Sequence, residues 1–467
     1  MSTFGGLNTA TTSLWAQRRA LDVTGQNIAN VNTEGYSRQR VDLQAIGGSA
    51  VPAFHSTSTG VGGGVNAEDV VRIRDAFLEG RAQTEHANNA RLATEAETLG
   101  QVETAFREPG STGLQRQLTD VWDGWEDVAN APDTGAARAQ VLERMNALVG
   151  GLRFASASLD AQWTQTRENL TVLTEDANAA ARGIADLNLA IQRATHTGLP
   201  ASDLADQRDL LVMKLADQVG ARARPGQDGM VDVVVGGFTL VGGSSASQLA
   251  LAGSPDLAGT ATDKLRLVTA VGELTVSPGG RAAGSLSALN GTLPKYRTEL
   301  DTLARGVAGA VNGLHTTGAF DQHGDPGGPV FESSDGADIT AASIQLAFSD
   351  PALIAASGRS GGPSTDNSKA DAIAQLRHDV GGPDANYRKL VVALGVEAAV
   401  ANRNVEIQSV ITTQVDAARE SVAGVNLDEE MTNMLSFQHA YAAAGRLVTA
   451  IDEMLDVLIN RTGRVGL

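Results

Sequence analysis

Both ends of the chain carry a seven-residue apolar repeat, and this limits the possible folds more than any other feature. At the start, Leu7, Leu14, Leu21 and Ile28 fall seven apart, with Ala10, Gln17, Thr24 and Val31 three residues behind them. Heptad spacing places such residues along one helix face. At 1.5 Å per residue, a helix from Gly5 to Val31 runs about 40 Å. At the other end the pattern is stricter. Leu427, Met434, Tyr441, Val448 and Leu455 form one row, and Phe437, Ala444, Ile451 and Leu458 fill the alternate row. Asn426 stands where an N-cap belongs and Glu429 follows three residues on, a capping box whose apolar staple position is taken by Glu430. Stripes of this kind must be covered. The two ends either pair inside one chain, or stay frayed in the monomer and complete their core against neighbouring copies. Gln17 and Thr24 make the N-terminal seam half polar, which favours the second arrangement.

The segment "GQNIANVNTEGYSRQ" ends the first stripe with Asn27, Asn30 and Asn32, followed by Gly35 and Tyr36. A helix end leaves four carbonyls without partners. Asparagine supplies short donors and acceptors and tolerates the left-handed conformation that ends helices. Gly35 permits a turn against which Tyr36 packs. So much side-chain amide suits a terminus buried between copies of the protein.

Between the ends, Trp163, Leu170, Ala177, Ile184 and Ile191 give another heptad series, and a shorter helix is expected over "AARAQVLERMNALVGGL" after the breaker "NAPDTG". Residues 221–280 change character: "DGMVDVVVGGFTLVGG" and "DKLRLVTAVGELTVSPGG" alternate, are β-branched and are bounded by glycine, so they predict hairpin strands. Helical pattern resumes at "GSLSALNG". One strand pair is expected within "ADITAASIQLAF", and long helices from about Asn367 to the end. The predicted fold is mainly α with a β insertion, and its organisation is nested. Residues 1–66 with 424–467 form a terminal coiled-coil assembly domain. Residues 67–220 with 281–423 form a helical-bundle middle domain with some β in 318–365, and 221–280 a small β domain. A chain of 467 residues suits two or three domains, and 4% aromatics with 52 glycines suit thin bundles.

A net charge of −18 repels phosphate backbones and anionic lipid, which argues against nucleic acid and membrane partners. The chain has no cysteine, so thiolate metal sites and disulfides are excluded. The N-terminus has no secretory signal pattern, and no apolar run approaches the ~20 residues of a membrane span. Seven scattered histidines show no ligand spacing. Asp321, His323, Asp325 and Glu332 mimic calcium-loop positions, but Pro326 stands where glycine is needed, so a polar turn is expected. "TGVGGGV" (59–65) reads as a linker, since no phosphate-binding lysine follows it. Asp428, Glu429 and Glu430 suit a helix start through its dipole. No nucleophile, base and oxyanion site assemble. The expectation is a protein with no catalytic residues, no metal and no cofactor.

"LNTATTSLWAQRRALDVTGQNIANVNTEGYSRQRVDL" (Leu7 to Leu43) closely resembles the N-terminal signature of bacterial flagellar rod, hook and hook-associated proteins. "GVNLDEEMTNMLSFQHAYAAAGRLVTAIDEMLDVLIN" (Gly424 to Asn460) resembles their C-terminal signature. The "GYSRQRV" ending points to the hook-associated branch at the hook–filament junction. "VVRIRDAFLEGR", "NAPDTGAARAQVL", "LADQRDLL" and "AVNGLH" also fit, while Glu34 replaces the usual proline and so loses its fixed φ. The resemblance implies a structural subunit exported unfolded through the flagellar type III apparatus, extracellular, without a cleavable signal. It implies a homo-oligomeric ring, with the hook protein below, a second junction protein above and an export chaperone on the C-terminal segment. Leu7, Leu14, Leu21 and Ile28 would pack with the Leu427–Leu458 stripe and with adjacent copies, and the asparagines would sit at an inter-subunit joint. Two rival readings stand beside this one: another axial subunit of hook or distal rod, and a stalked surface-binding module using the β insertion.

Overall fold

The computed structural model describes residues 3–47, 62–108, 110, 112–361 and 365–461. The fold is mainly helical with small antiparallel sheets. Helix α1 (Thr3–Ala29) leads into a hairpin of β1 (Gln39–Ile46) and β2 (Gly64–Arg72). The helical centre follows as α2 (Ala76–Phe106), α3 (Leu114–Asn130), α4 (Gly135–His196) and α5 (Ser202–Val219). The hairpin is absent from the sequence-based expectation. Gly64 and Val65, read as linker, lie in β2, while 59–61 fall outside the described residues.

The expected short helix and the Trp163 series fuse into one 62-residue helix, α4, about 93 Å long at 1.5 Å per residue. Gly150 and Gly151 do not break it, because packing on both sides outweighs glycine's weak helix propensity. Three of the four tryptophans, Trp122, Trp125 and Trp163, are fully buried in this centre. Two of them have partnered indole N–H groups: Trp163 Nε1 donates to the Leu289 carbonyl at 3.1 Å, and Trp122 Nε1 to the Asp384 carboxylate. Each such ring buries 150–250 Å² as an order of magnitude, so a few of them build a core in an otherwise alanine-rich bundle.

The β insertion holds β3 (Arg222–Pro225), β4 (Val231–Val235), β5 (Phe238–Gly242) and β6 (Ser245–Ala246) in one sheet. A second sheet holds β7 (Leu249–Ala252), β8 (Arg266–Thr269) and β9 (Thr275–Val276). Gly236 and Gly237 take φ of +54° and +87° in the tight β4–β5 turn, a conformation that favours glycine. Two α4 asparagines fasten these sheets. Asn178 bonds both N–H and carbonyl of Leu249, and Asn188 does the same with Val231.

Helices α6 (Gly280–Ser287) and α7 (Leu293–Thr316), joined by a π turn, return to the bundle. The later strand pair is β10 (Phe331–Ser333) with β11 (Ile344–Leu346). Only the "SIQLAF" half of the expected pair is strand; its mate lies upstream. Asp321 is buried and accepts from the His323 and Asp325 N–H groups, so it serves the turn. The chain closes with α8 (Ser368–Ala374), α9 (Pro383–Ala423) and α10 (Leu427–Asp456).

α1 packs along α10 within the one chain, the arrangement that the half-polar seam argued against. The pairing is antiparallel and in step. Gly6 meets Ile451 and Asn27 meets Glu430, and both intervals are 21 residues (27 − 6 and 451 − 430).

Candidate assembly interface

On α1 the deepest positions are Ala10, Ala16, Ala20, Thr24 and Asn27, while the expected stripe of Leu7, Leu14, Leu21 and Ile28 is only half-buried. The cause is geometric. α1 is wedged between α10 and the β1–β2 hairpin, and close approach on two sides favours small side chains. On α10, Ala444 and Ile451 are buried, and Met434, Phe437, Val448 and Leu455 are half-buried. Leu427, Tyr441 and Leu458 are exposed, which corrects their placement in one continuous seam. A straight helix drifts ~20° per heptad, so rows seven apart do not stay on the covered side of a single partner.

At the lower end of this pair lies a buried polar joint. Glu430, only 2% exposed, accepts from Arg38 Nε at 2.7 Å and Asn27 Nδ2 at 3.1 Å. Asn27 also donates to the Gln39 carbonyl at 2.9 Å, and its oxygen takes the Gln39 N–H at 3.0 Å and the Tyr36 hydroxyl at 2.8 Å. Its amide is thus committed to partners inside the chain. Asn30 serves its own turn, bonding the Gln26 carbonyl and Thr33, and Asn32 is exposed. Asn426 caps α10 through the N–H groups of Asp428 and Glu429. Glu429 does not complete the expected box; its carboxylate pairs with Arg38 at 2.8 Å. Burial, followed by the nearby Asp203, Asp206 and Glu430 charges, pushes the Tyr36 hydroxyl up to about 12, so it remains a donor.

Gly35 has φ of +78°, and a Cβ there would fall 2.5 Å from Leu210 Cγ on α5. The turn therefore needs glycine twice, for conformation and for space. From it a chain of charges runs into the bundle. Ser37 donates to Asp206 from both N and Oγ (3.1 and 2.8 Å), and Arg72 bridges Asp206 and Asp209 at 2.8 and 2.9 Å. Arg74 pairs with Asp209 and, at 3.3 Å, with Glu79. Arg419 of α9 joins Glu79 to Asp416, and His86 joins Asp416 to Asp217. Burial works against the Arg72 charge, but Asp209 and Asp206 outweigh it and raise its pKa. The hydrogen bond to Asp217, opposed by burial and reinforced by Asp416, pushes His86 up to about 8. Arg208 is buried, donates to the Gly229 carbonyl at 2.8 Å and has its pKa lowered by burial.

These residues were not singled out from the sequence, yet they lie in quoted motifs. Asp206, Arg208, Asp209 and Leu210 come from "LADQRDLL", and Arg72, Arg74 and Glu79 from "VVRIRDAFLEGR". His315 and Asn312 of "AVNGLH" bond the 328–331 backbone, and Arg138 of "NAPDTGAARAQVL" bonds the Pro132 and Ile354 carbonyls. Each motif spends its polar side chains on joining elements. Among the described residues no group of three or more His, Asp or Glu side chains is arranged to hold a metal.

The helical-domain model of flagellar hook-associated protein FlgK matches residues 99–331. A basal-body rod model matches 7–36, and a rod C-terminal model matches 419–461. Flagellar hook-associated protein 1 of Bacillus subtilis is 31% identical over 510 residues, spanning 100% of this chain and 99% of that protein. The chain belongs to the flagellar hook-associated protein 1 family. The Escherichia coli protein of that name is 25% identical across 97% of this chain and 99% of its own length. The structure of the flagellar hook junction protein FlgK from Burkholderia pseudomallei superposes with TM-score 0.63 at 17% identity, covering 75% of this chain and all of that one; at that identity it supports the hook-associated protein 1 fold alone. In this family member, the two terminal matches coincide with α1 and α10, the helices that the buried joint holds together.

Proposed function

We propose that this chain is a structural subunit of the bacterial flagellum, one of a ring of copies joining hook to filament, exported and acting outside the cell without catalysis. One observation carries the reading. The paired ends satisfy each other along a single stripe and leave large apolar groups outside it: Leu427, Met431 and Leu435, four apart on one face of α10, and Trp15 on α1 are exposed. Contiguous exposed apolar surface of this kind marks an interaction site. Neighbouring copies cover it, and the buried Arg38–Glu430–Asn27 joint fixes the angle at which it is presented.

The hook protein binds on one side of the ring and a second junction protein on the other, with an export chaperone taking the α10 segment beforehand. Immunogold labelling of isolated flagella tests the placement. A single band at the hook–filament boundary is expected; label along the whole hook, or none on flagella, overturns it. Among the described residues no helix is long and apolar enough to cross a membrane.

A further inference from the structure

Helix α9 carries a second apolar stripe, far from the terminal pair. Val392, Val396, Val400, Ile407 and Val410 are all about half or more exposed. At 100° per residue they fall within about 80° of one another around the helix, a single strip roughly 27 Å long. Arg403 lies inside the strip, and among the described residues neither it nor Lys389 at its head has a hydrogen-bond or ion-pair partner. Isolated exposed valines need no explanation; five in line on one helix do. Lys389 and Arg403 give the strip its charge, with the exposed Glu406 at its edge; on a chain of net charge −18, the complement of Arg403 is acidic.

The same molecule offers that complement on its other side. Around the exposed Val172 on α4 lie Glu168, Glu175 and Asp176, all exposed and, among the described residues, unpaired. α9 packs on α2 and α7, and α4 packs on the same two helices, so the free faces of α9 and α4 look away from each other. They cannot meet within one molecule. They also share one level. Gln162 of α4 donates to the Thr98 carbonyl, and Gln408 of α9 to the Glu85 carbonyl. Both helices run antiparallel to α2: α9 proceeds from Glu85 to Glu79 at Arg419, and α4 from Thr98 toward Asn188 at the β3–β4 end, where Gln83 also binds. Thr98 is 13 residues from Glu85 (98 − 85), so position 395 (408 − 13) is level with Gln162. Eight residues further, Arg403 is level with Leu170, between Glu168 and Val172.

We infer that the α9 stripe docks onto the acidic α4 face of a second copy of this chain, Arg403 against Glu168 and Ile407 against Val172. Such a contact is head-to-tail and repeats from copy to copy. A single helix-on-helix contact buries less than the ~1,200 Å² of a stable interface, so it forms only where the terminal helices already hold copies side by side. The inference rests on the ring proposed above.

The absence of native cysteine makes the test clean. Flagella are isolated from cells carrying Val172→Cys with Ile407→Cys and treated with a short bismaleimide. A ladder of covalent multimers is expected from the double variant, dimers only from a mixture of the two single variants, and none from either alone. Arg403→Glu lowers the yield roughly two- to fivefold, and Glu168→Arg in the same chain restores it. Chain present in the flagella, with both thiols open to a monofunctional maleimide but no ladder, overturns the α9–α4 contact alone. Absence of the chain from flagella overturns the junction reading and this contact with it.

Discussion

The helical centre and the terminal pair are both built from helices, but they bury different things. The centre encloses large side chains at zero exposure, among them Trp122, Trp163, Tyr296 and Leu118. The α1–α10 pair encloses alanines, Thr24, Asn27, one carboxylate and a single large apolar group, Ile451, and leaves its other larger apolar groups half-buried or outside. A folded unit that depends on no one else hides its largest groups first. The terminal pair holds them in reserve on its outer side. The contrast teaches that one region is held together by bulk burial, whereas the other is held in shape chiefly by small side chains and a polar joint.

The largest expected effect tests the first half of that contrast. Trp163→Ala removes a fully buried ring and leaves the Leu289 carbonyl without its donor, costing about 3–5 kcal/mol. Calorimetry should show the main transition falling by several degrees, and an unchanged transition would break the comparison. Next, Arg38→Ala strands the buried Glu430 carboxylate, a loss of about 3–5 kcal/mol felt locally. Amide exchange should quicken in residues 427–437 with the main transition unmoved; a global loss would mean that the two regions unfold as one.

The charge chain between the regions gives a smaller, pH-dependent effect. The His86 pKa rises from 6.5 to about 8 on folding. Its contribution is therefore whole below 6.5 and is lost as pH climbs through 8. With partners partly open to solvent, roughly 1 kcal/mol is at stake. Denaturant midpoints should drop between pH 6 and pH 9, and His86→Ala should remove that slope. Tyr36→Phe loses one hydroxyl bond to Asn27, about 1 kcal/mol, seen as slightly faster exchange around the joint. Leu435→Asp, on the exposed face of α10, should change monomer stability by under ~0.5 kcal/mol while abolishing motility. Ile451→Asp, on the buried side, should harm both. Equal monomer stabilities for these two would erase the inner–outer distinction.

Heptads, turn glycines and alternating strands were legible along the chain because each is a local signal. They announced α1 and α10, the hairpins after residue 221 and the turn at Gly35. Glu430 was legible only as an acid at a helix start. Its partner Arg38 lies 392 residues away, and no pattern along the sequence spans that interval. The β1–β2 hairpin was not anticipated although Val41, Leu43 and Ala45 alternate with Asp42 and Gln44: its strands are separated by residues 47–63, so no tight turn marks the pairing.

The sequence by itself determined that this chain is mostly helical, that its two ends carry matched stripes, and which motifs it shares with the flagellar axial proteins. Periodicity and composition are sufficient for that, since each residue's preference is expressed within a few turns. Only the tertiary structure decided which side of each stripe faces inward. A heptad defines an apolar face but not how much of it one partner can cover. Small residues took the inside of α1 because two elements close on it, and of the larger apolar residues of α10 only Ile451 went fully inside while others stayed half-buried or faced outward.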